Sequence, residues 1–316
     1  MTVNPSRPVI LVTGADLAPE AQILLAPFEL VYAGRTPTED DLVRLCKQNQ
    51  PVALIVRYGR ITERVIGTCS RLRVISKHGS GIDTIDVAAA RARGVLVKAA
   101  VGANAAAVAE HAWSLILACA KSVTELNARM HEGHWDKATH KSVELDGATL
   151  GLVGLGAIGA RVARTGLAMG MRVLAYDPFV QTPPSGVTLC DLQQVLRESD
   201  VLSLHCPLTA ENRGFMNRDA FALMRNGAIL VNTARGGLID EDALVEALRS
   251  GKLRAAGLDT FAAEPPPPDH RLKGVPRLVL TPHIGGVTSA AYTKMGVAAA
   301  RNIVETLGSS SATSTT

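Results

Sequence analysis

Short β-branched runs alternate with helical patterns along most of this chain, and that rhythm limits its fold more than any other feature. PVILVT at 8–13, FELVYA at 28–33, PVALIVR at 51–57, RLRVISK at 71–77 and GVLVK at 94–98 each run into a polar or glycine-containing turn. Strands separated by helix-length segments pair in parallel, with helices covering both faces of the sheet. Two of the intervening helices carry their own signals. Thr38 with Asp41 three residues later predicts a capped start for DLVRLCK, and Ile85 to Arg93 reads as an amphipathic helix stopped by Gly94. With 3% aromatic residues the core is built from Ala, Val, Leu and Ile, which suits sheets under close-packed helices.

The rhythm breaks at Gly102. ANAAAVAEHAWSLILACAKSV is about twenty residues, apolar around nearly its whole circumference apart from Glu110, His111 and Lys121. Such a helix is expected to be buried between domains or subunits. Six strands then follow: TLGLVG, MRVLAYD, DVLSLHCP, GAILVNTA, LRAAGLDT and LVLTPH, with GARVARTGLAM, LQQVLRES, RDAFALMR and DALVEALRSG as helices between them. Thr288 to Leu307 is one more helix, placed after the second unit is complete and free to return to the first. At about 150 residues per domain, 316 residues allow one or two.

Composition removes several classes of function. With 47% hydrophobic and 20% charged residues the chain is neither disordered nor fibrous. Lys plus Arg number 33 against 29 Asp plus Glu, without a dense basic run, so nucleic acid is not expected as the main partner. The five cysteines, Cys46, Cys69, Cys119, Cys190 and Cys206, form no close pair, which predicts neither a disulfide framework nor a metal site and points to a reducing compartment. The N-terminus reads as a first strand rather than a signal peptide, and the longest apolar stretch, Ala112 to Ala120, is half of what a membrane span needs. A cytoplasmic location and no membrane partner are expected. The tail from Gly308 reads as a frayed end.

The first chemical motif opens the second unit. Thr149 to Val153 is a strand, Gly154-Leu155-Gly156-Ala157-Ile158-Gly159 follows at once, and Arg161 to Met169 is a helix. This is G-x-G-x-x-G in strand-turn-helix context: Gly154 for a tight turn, Gly156 for close approach of backbone to a pyrophosphate, Gly159 for helix–strand packing. Asp177, ending the next strand 23 residues beyond Gly154, supplies the carboxylate that a dinucleotide ribose requires. That carboxylate accepts both ribose hydroxyls of NAD and repels the 2′-phosphate of NADP, and Pro178, Phe179 and Val180 bring no compensating Arg. NAD is the expected cofactor.

Three later strands each end in a polar residue: Arg235 in NTARGG, Glu264 in DTFAAEP and His283 in TPHIGG. Ligands of open α/β sheets bind at the carboxyl ends of strands, so the three are candidates for one crevice. Each alone is ordinary. Together they meet the needs of 2-hydroxy acid oxidation: a guanidinium to grip a carboxylate, an imidazole to take the hydroxyl proton, and a carboxylate to hold that imidazole.

With these residues assembled, the sequence resembles the D-isomer-specific 2-hydroxyacid dehydrogenases, in particular the 3-phosphoglycerate dehydrogenase-like and hydroxypyruvate reductase-like members. The resemblance runs from about Val9 to Leu307. It rests on KHGSGIDTID from Lys77, GANAAAVAEH from Gly102, LVGLGAIGARVA from Leu152, YDP from Tyr176, LHCPLT from Leu204, NTARGGLIDEDAL from Asn232, GLDTFAAEP from Gly257 and TPHIGG from Thr281. It implies two doubly wound parallel-sheet α/β domains, with a Rossmann NAD-binding domain inserted into a flavodoxin-like substrate domain. The implied boundaries are 1–102 plus 287–316 for substrate and 103–286 for the dinucleotide. The helix from Asn104 resembles the element through which such proteins pair, implying a homodimer.

By the same likeness Arg235 orients the substrate, Glu264 supports the histidine and His283 is the acid/base. Ala157, Ile158, Asp177, His205, Pro207, Thr233, Ala234, Asp259 and Gly285 match cofactor contacts. Ser80 and Gly81 match the loop receiving the substrate carboxylate, and Asn104 the polar residue beside it. The implied partner is a small 2-hydroxy or 2-keto acid. Arg57, Arg60, Lys77, His78, Lys137, His140 and Lys141 fall near the expected crevice and would suit a second anionic group; Arg57 and Lys77 are the first candidates. Tyr58 stands where phosphoglycerate-type enzymes commonly carry a small polar residue and would narrow the pocket. Glu264 speaks against the formate-oxidising branch, which carries Gln there. The alternative of another class is the corepressor branch, an NAD(H)-sensing binding module that retains the same triad. Feedback control through a C-terminal regulatory domain is not expected.

Overall fold

A computed structural model describes residues 7–308, and the expected frayed tail beyond Gly308 lies outside them. The chain divides into two compact units, one of residues up to Asn104 together with those from Val287 onward, the other Ala105–Gly286.

The first unit runs β1 (Val9–Val12), α1 (Pro19–Leu24), β2 (Glu29–Tyr32), α2 (Glu39–Asn49), β3 (Ala53–Val56), α3 (Glu63–Gly67), β4 (Val74–Lys77), α4 (Val87–Ala92) and β5 (Leu96–Ala99). Its five strands are parallel in the order β2-β1-β3-β4-β5. This is the flavodoxin-like order, with a switch point between β1 and β3 where the winding reverses. Strand alternation sends Ile10, Val12, Ile55 and Val74 to one face and Leu11, Leu54 and Ile75 to the other, all buried. Fully burying a Leu or Ile side chain is worth about 1.5–3 kcal/mol, so both faces must be covered. Leu42 and Cys46 of α2 and Val65 of α3 cover one face. α2 starts on the capping box expected from Thr38 and Asp41. α4 is shorter than its pattern: Asp86 accepts from the Ala89 N–H and caps it, so Ile85 stays outside and bridges to Ile61 instead.

The second unit begins with α5 (Ala105–Lys121) and α6 (Val123–His131), and continues β6 (Thr149–Val153), α7 (Gly159–Ala168), β7 (Arg172–Tyr176), β8 (Val187–Leu189), α8 (Leu192–Glu198), β9 (Val201–Leu204), α9 (Arg218–Leu223), β10 (Ala228–Asn232), α10 (Glu241–Arg249), β11 (Leu253–Leu258) and β12 (Leu278–Leu280). The seven parallel strands lie in the order β12-β11-β10-β9-β6-β7-β8, the Rossmann arrangement with one added strand at β12 and the switch point between β6 and β9. The six expected strands are present. The seventh, β8, has only three residues behind a Pro- and Ser-containing loop, too short to show a pattern, and it forms by pairing with β7 at the sheet edge.

Within the second unit α5 sends Trp113 and Ile116 into one core with Leu150, Leu152, Val173 and Val231 and packs on α7, β10 and β11, while Glu110, Ser114 and Leu117 are exposed. The helix ends earlier than its composition implies, at Ser122, whose φ of 52° breaks it before α6. α6 has no buried residue, and Val123, Met130 and Trp135 are exposed.

α11 (Ser289–Gly308) closes the first unit, packing Ala299, Ala300 and Ile303 on the face that α1 shares. Gly296 permits this: a Cβ there would crowd Ala21 at 3.3 Å and Ala18 at 3.5 Å. Among the described residues no helix is long and apolar enough to cross a membrane, and no cluster of three or more His, Cys, Asp or Glu is disposed to hold a metal ion. All five cysteines are free thiols.

Candidate active site

At the switch point of the seven-stranded sheet, β6 runs into the glycine loop. Gly154 has φ +99°, and a Cβ there would lie 2.7 Å from the Cys206 nitrogen, so only glycine brings this turn against the segment after β9. A Cβ on Gly159 would strike the Gly154 carbonyl. Gly156 differs: nothing lies within 4 Å of its would-be side chain, so the loop presents bare backbone to open space. Ala157 and Ile158 complete the turn, and the N-terminus of α7, with its partial positive charge, follows. Asp177 ties the loop to β7, its Oδ2 accepting from Leu155 N at 2.8 Å and its Oδ1 from Phe179 N at 2.9 Å. A carboxylate has about four acceptor positions, which leaves capacity for ribose hydroxyls.

Unmet polar atoms mark the neighbouring strand ends. His205 Nε2 pairs with Ser203 Oγ at 2.9 Å, but its Nδ1 is buried without a partner, as are Thr233 Oγ1 and Thr260 Oγ1. Burial lowers the His205 pKa to about 4, so the ring is neutral. Buried polar groups are almost always paired. Three unpaired ones following β9, β10 and β11 suit an edge built for a polar ligand, and together with the open Gly156 they fit a dinucleotide. Pro207 turns the chain after His205, its carbonyl accepting from Asn212.

The catalytic candidates are set by short-range contacts. Buried Asn232 accepts from Ala234 N at 2.9 Å and donates to the Arg235 carbonyl at 2.8 Å, which fixes the turn carrying Arg235. Arg235 Nη1 donates to the Ala234 carbonyl at 2.7 Å. Gly236 then packs directly on the Phe261 backbone, leaving no space for a Cβ. Phe261 N donates to Glu264 Oε1 at 2.9 Å, and Glu264 Oε2 lies 2.6 Å from His283 Nδ1. Burial pushes the Glu264 carboxyl up, but the hydrogen bonds from His283 and Phe261 and the nearby Arg235 outweigh it, so its pKa falls below the ordinary value. The hydrogen bond to Glu264 raises the His283 pKa against the opposing effects of burial and of Arg235.

His283 has φ +54°, and its loop is held from behind. Asp259, almost fully buried, accepts from Thr281 Oγ1 at 2.6 Å, Ile284 N at 2.9 Å and Gly285 N at 2.8 Å. His111 of α5 adds its Nε2 at 2.9 Å from Thr281 Oγ1 and 3.3 Å from Asp259 Oδ1. Gly285 is required here because a Cβ would come within 2.9 Å of Asp259 Oδ2.

The five-stranded unit holds the remaining candidates. Gly79, Ser80 and Gly81 follow β4; Gly79 has φ +146°, and Ser80 Oγ donates to Asn104 Oδ1 at 3.4 Å. Arg57 follows β3 but is not an uncommitted cation: its Nη1 donates to the Asp16 carboxylate and, at 2.6 Å, to the Asp16 carbonyl. Lys77 Nζ donates to the Arg57 carbonyl at 3.3 Å. His78 corrects an expectation, because burial and the neighbouring Arg57 lower its pKa to about 4, so it brings no charge to an anion. Arg60 is exposed. Lys137, His140 and Lys141 belong to the other unit, in the largely exposed segment after α6.

Comparison with known proteins gives this geometry a lineage. The profile described as D-isomer specific 2-hydroxyacid dehydrogenase, NAD binding domain, matches residues 113–285. A hydroxypyruvate reductase of Thermotoga maritima is 41% identical over 290 residues, 91% of this chain and 94% of that protein. The chain belongs to the D-isomer specific 2-hydroxyacid dehydrogenase family. A D-3-phosphoglycerate dehydrogenase of Archaeoglobus fulgidus is 41% identical over 80% of this chain, which spans about half of that protein's length (49%). The crystal structure of the TT0316 protein of Thermus thermophilus superimposes with a TM-score of 0.87 at 37% identity, covering 95% of this chain and 97% of that one.

The protein is thus a nicotinamide-dependent 2-hydroxyacid dehydrogenase acting on a CH–OH group, with an N-terminal substrate domain and an inserted NAD-binding domain. Two groups in this dehydrogenase have no role in the sequence reading. His111 lies within the quoted GANAAAVAEH motif, yet only the fold brings α5 to the His283 loop. Asp16 and Tyr292 stand 276 residues apart, and no local pattern links them.

Proposed function

We propose that this dehydrogenase prefers NAD and interconverts a small 2-hydroxy acid and its 2-keto acid, with a three-carbon, 3-substituted substrate of the hydroxypyruvate or 3-phosphoglycerate kind. The observation that carries the reading is the 2.6 Å pair of His283 Nδ1 and Glu264 Oε2, adjacent in the fold to the Arg235 turn. A nicotinamide bound at the Gly154–Gly159 loop supplies the hydride acceptor or donor at C2 of the substrate. Arg235 orients the substrate carboxylate through its planar fork. Because Nδ1 is engaged by Glu264, His283 exchanges the substrate hydroxyl proton through Nε2, and Glu264 stabilises the imidazolium formed in oxidation. In reduction the same imidazolium is the acid. Ser80, Gly81 and Asn104 serve as further carboxylate contacts.

Asp177 supports NAD over NADP because its carboxylate repels a 2′-phosphate and the adjoining Pro178, Phe179 and Val180 carry no positive charge. Pro207, Thr233, Ala234, Asp259 and Gly285 complete the cofactor contacts. Homodimer formation is part of the reading, supported by the exposed Val123, Met130 and Trp135 on and beside α6, which itself buries nothing; elution as a single 33.2 kDa chain would speak against it. The decisive test is a panel of keto acids (hydroxypyruvate, glyoxylate, phosphohydroxypyruvate, sulfopyruvate, oxaloacetate) scored by NADH and NADPH oxidation. Turnover of a three-carbon member, faster with NADH, is expected. No turnover of any member, with NADH-dependent binding to a protein partner, would favour the sensing module instead.

A further inference from the structure

The switch point of the five-stranded sheet carries a charge cluster built from three segments of the chain. Thr13, just past β1, accepts from Arg57 N at 3.0 Å and Tyr58 N at 3.2 Å and donates to the Tyr58 carbonyl at 2.6 Å, locking the segments after β1 and β3 side by side. Gly14 leaves the space that the Arg57 side chain crosses; a Cβ there would come within 2.9 Å of Arg57 Cδ. The guanidinium then lies 5.3 Å from the Tyr58 ring centre and 4.9 Å from that of Tyr292 on α11, and it pairs with Asp16. Tyr292 donates its hydroxyl to the same Asp16 oxygen at 2.6 Å.

The arrangement is asymmetric. The Arg57 side chain is 12% exposed and that of Asp16 is 65% exposed, so the cation is fixed and its counter-ion sits toward solvent. The hydrogen bonds from Tyr292 and Arg57, with the field of Arg35, hold the Asp16 carboxyl below its usual range, and burial and Asp16 push the Tyr292 phenol up to about 12. Carboxylate and phenol therefore keep these forms at any ordinary working pH. Ligands of doubly wound sheets bind at such a switch point. A second anion approaching Arg57 meets a protein carboxylate already in place, and must displace it or tolerate it.

We propose that Asp16, held by Tyr292, sets the charge of the substrate this dehydrogenase accepts: a 2-keto acid with an uncharged 3-substituent is favoured, and one with a phosphate at that position is discriminated against. This rests on the three-carbon substrate reading above and chooses within it. Asp16 is a positioning residue that acts through Arg57, an electrostatic device for excluding the wrong substrate. Its exposure keeps the effect moderate, because solvent screens the repulsion and the side chain has room to move.

The test compares kcat/KM for hydroxypyruvate and phosphohydroxypyruvate at saturating NADH in the full chain, in Asp16→Asn and in Tyr292→Phe. The native enzyme is expected to favour hydroxypyruvate by at least about tenfold. Asp16→Asn should shift the ratio toward the phosphorylated compound by about tenfold, mainly through its KM, and Tyr292→Phe should shift it less in the same direction. Preference of the native enzyme for the phosphorylated compound would overturn the proposal, as would turnover of both compounds with a ratio unmoved by either variant. Turnover of neither would overturn the three-carbon reading and the proposal with it, an outcome distinct from an unmoved ratio. General loss of stability lowers both rates and leaves the ratio where it was.

Discussion

At the switch point of the seven-stranded sheet, Gly156 faces open space and the following strand ends bury three unpartnered polar atoms; at that of the five-stranded sheet, Arg57, Asp16 and Tyr292 satisfy one another, although the buried His78 Nε2 after the neighbouring β4 is also unpartnered. The same winding rule produces both edges. One is finished with backbone and unused hydrogen-bonding capacity, which suits a large polar ligand gripped by many weak contacts. The other is finished with paired charges, which suits choosing among small ligands that differ in charge.

The largest effect expected from breaking this contrast comes from the polar edge. His283→Ala should lower kcat/KM by about 10²–10⁴-fold, the range for loss of a general acid/base, while leaving NADH affinity near native, as read by fluorescence titration. A loss below tenfold would remove His283 from the proposed role.

Alanine at two glycines should separate the edges more finely. Gly156→Ala adds a methyl group to empty space, so the melting temperature should hold while NADH binding weakens by at least tenfold. Gly14→Ala pushes on the Arg57 side chain, so it should cost about 1 kcal/mol of stability, near the low end for overpacking, and leave NADH affinity unchanged. The reverse pattern in calorimetry and titration would mean that the two edges have been assigned the wrong way round.

The smallest effect sharpens the role of Glu264. Its hydrogen bond raises the His283 pKa, so Glu264→Gln should lower it. Keto acid reduction needs the imidazolium, and its high-pH limb should therefore move to lower pH, with kcat down about tenfold, or ~1.4 kcal/mol. Hydroxy acid oxidation needs the neutral ring and should extend to lower pH. For stability the signs follow from the two shifts. The raised histidine contributes below its unfolded pKa and loses that contribution as pH rises through the folded value. The lowered Glu264 contributes above its unfolded pKa and loses it as pH falls through the folded value. The pair is thus most stabilising between the two, and Glu264→Gln should narrow the native pH–stability plateau.

Much of this is legible in the sequence. The strands from β1 to β5, the capped α2 and the glycine loop with Asp177 follow from patterns within a few residues, because parallel βα units repeat local signals. β8 escapes because three residues carry no period. α5 differs: its apolar circumference announces burial without saying against what, and only the fold shows α7, β10 and β11 among its partners. His78 and Arg57 look like available cations in the sequence, yet burial neutralises the first and Asp16 occupies the second.

The sequence by itself determined the two βα units and the glycine loop and put forward Arg235, Glu264 and His283 as candidates, since each is written in contiguous residues at strand ends. Only the tertiary structure decided that Glu264 and His283 are a hydrogen-bonded pair, that His111 and Asp259 brace the loop beneath them, and that Asp16, Arg57 and Tyr292 form one charge cluster. The physical reason is separation: pairs such as Asp16 and Tyr292, at opposite ends of the chain, meet because α11 packs back onto the first sheet, and a hydrogen bond of that kind leaves no mark on the residues beside either partner.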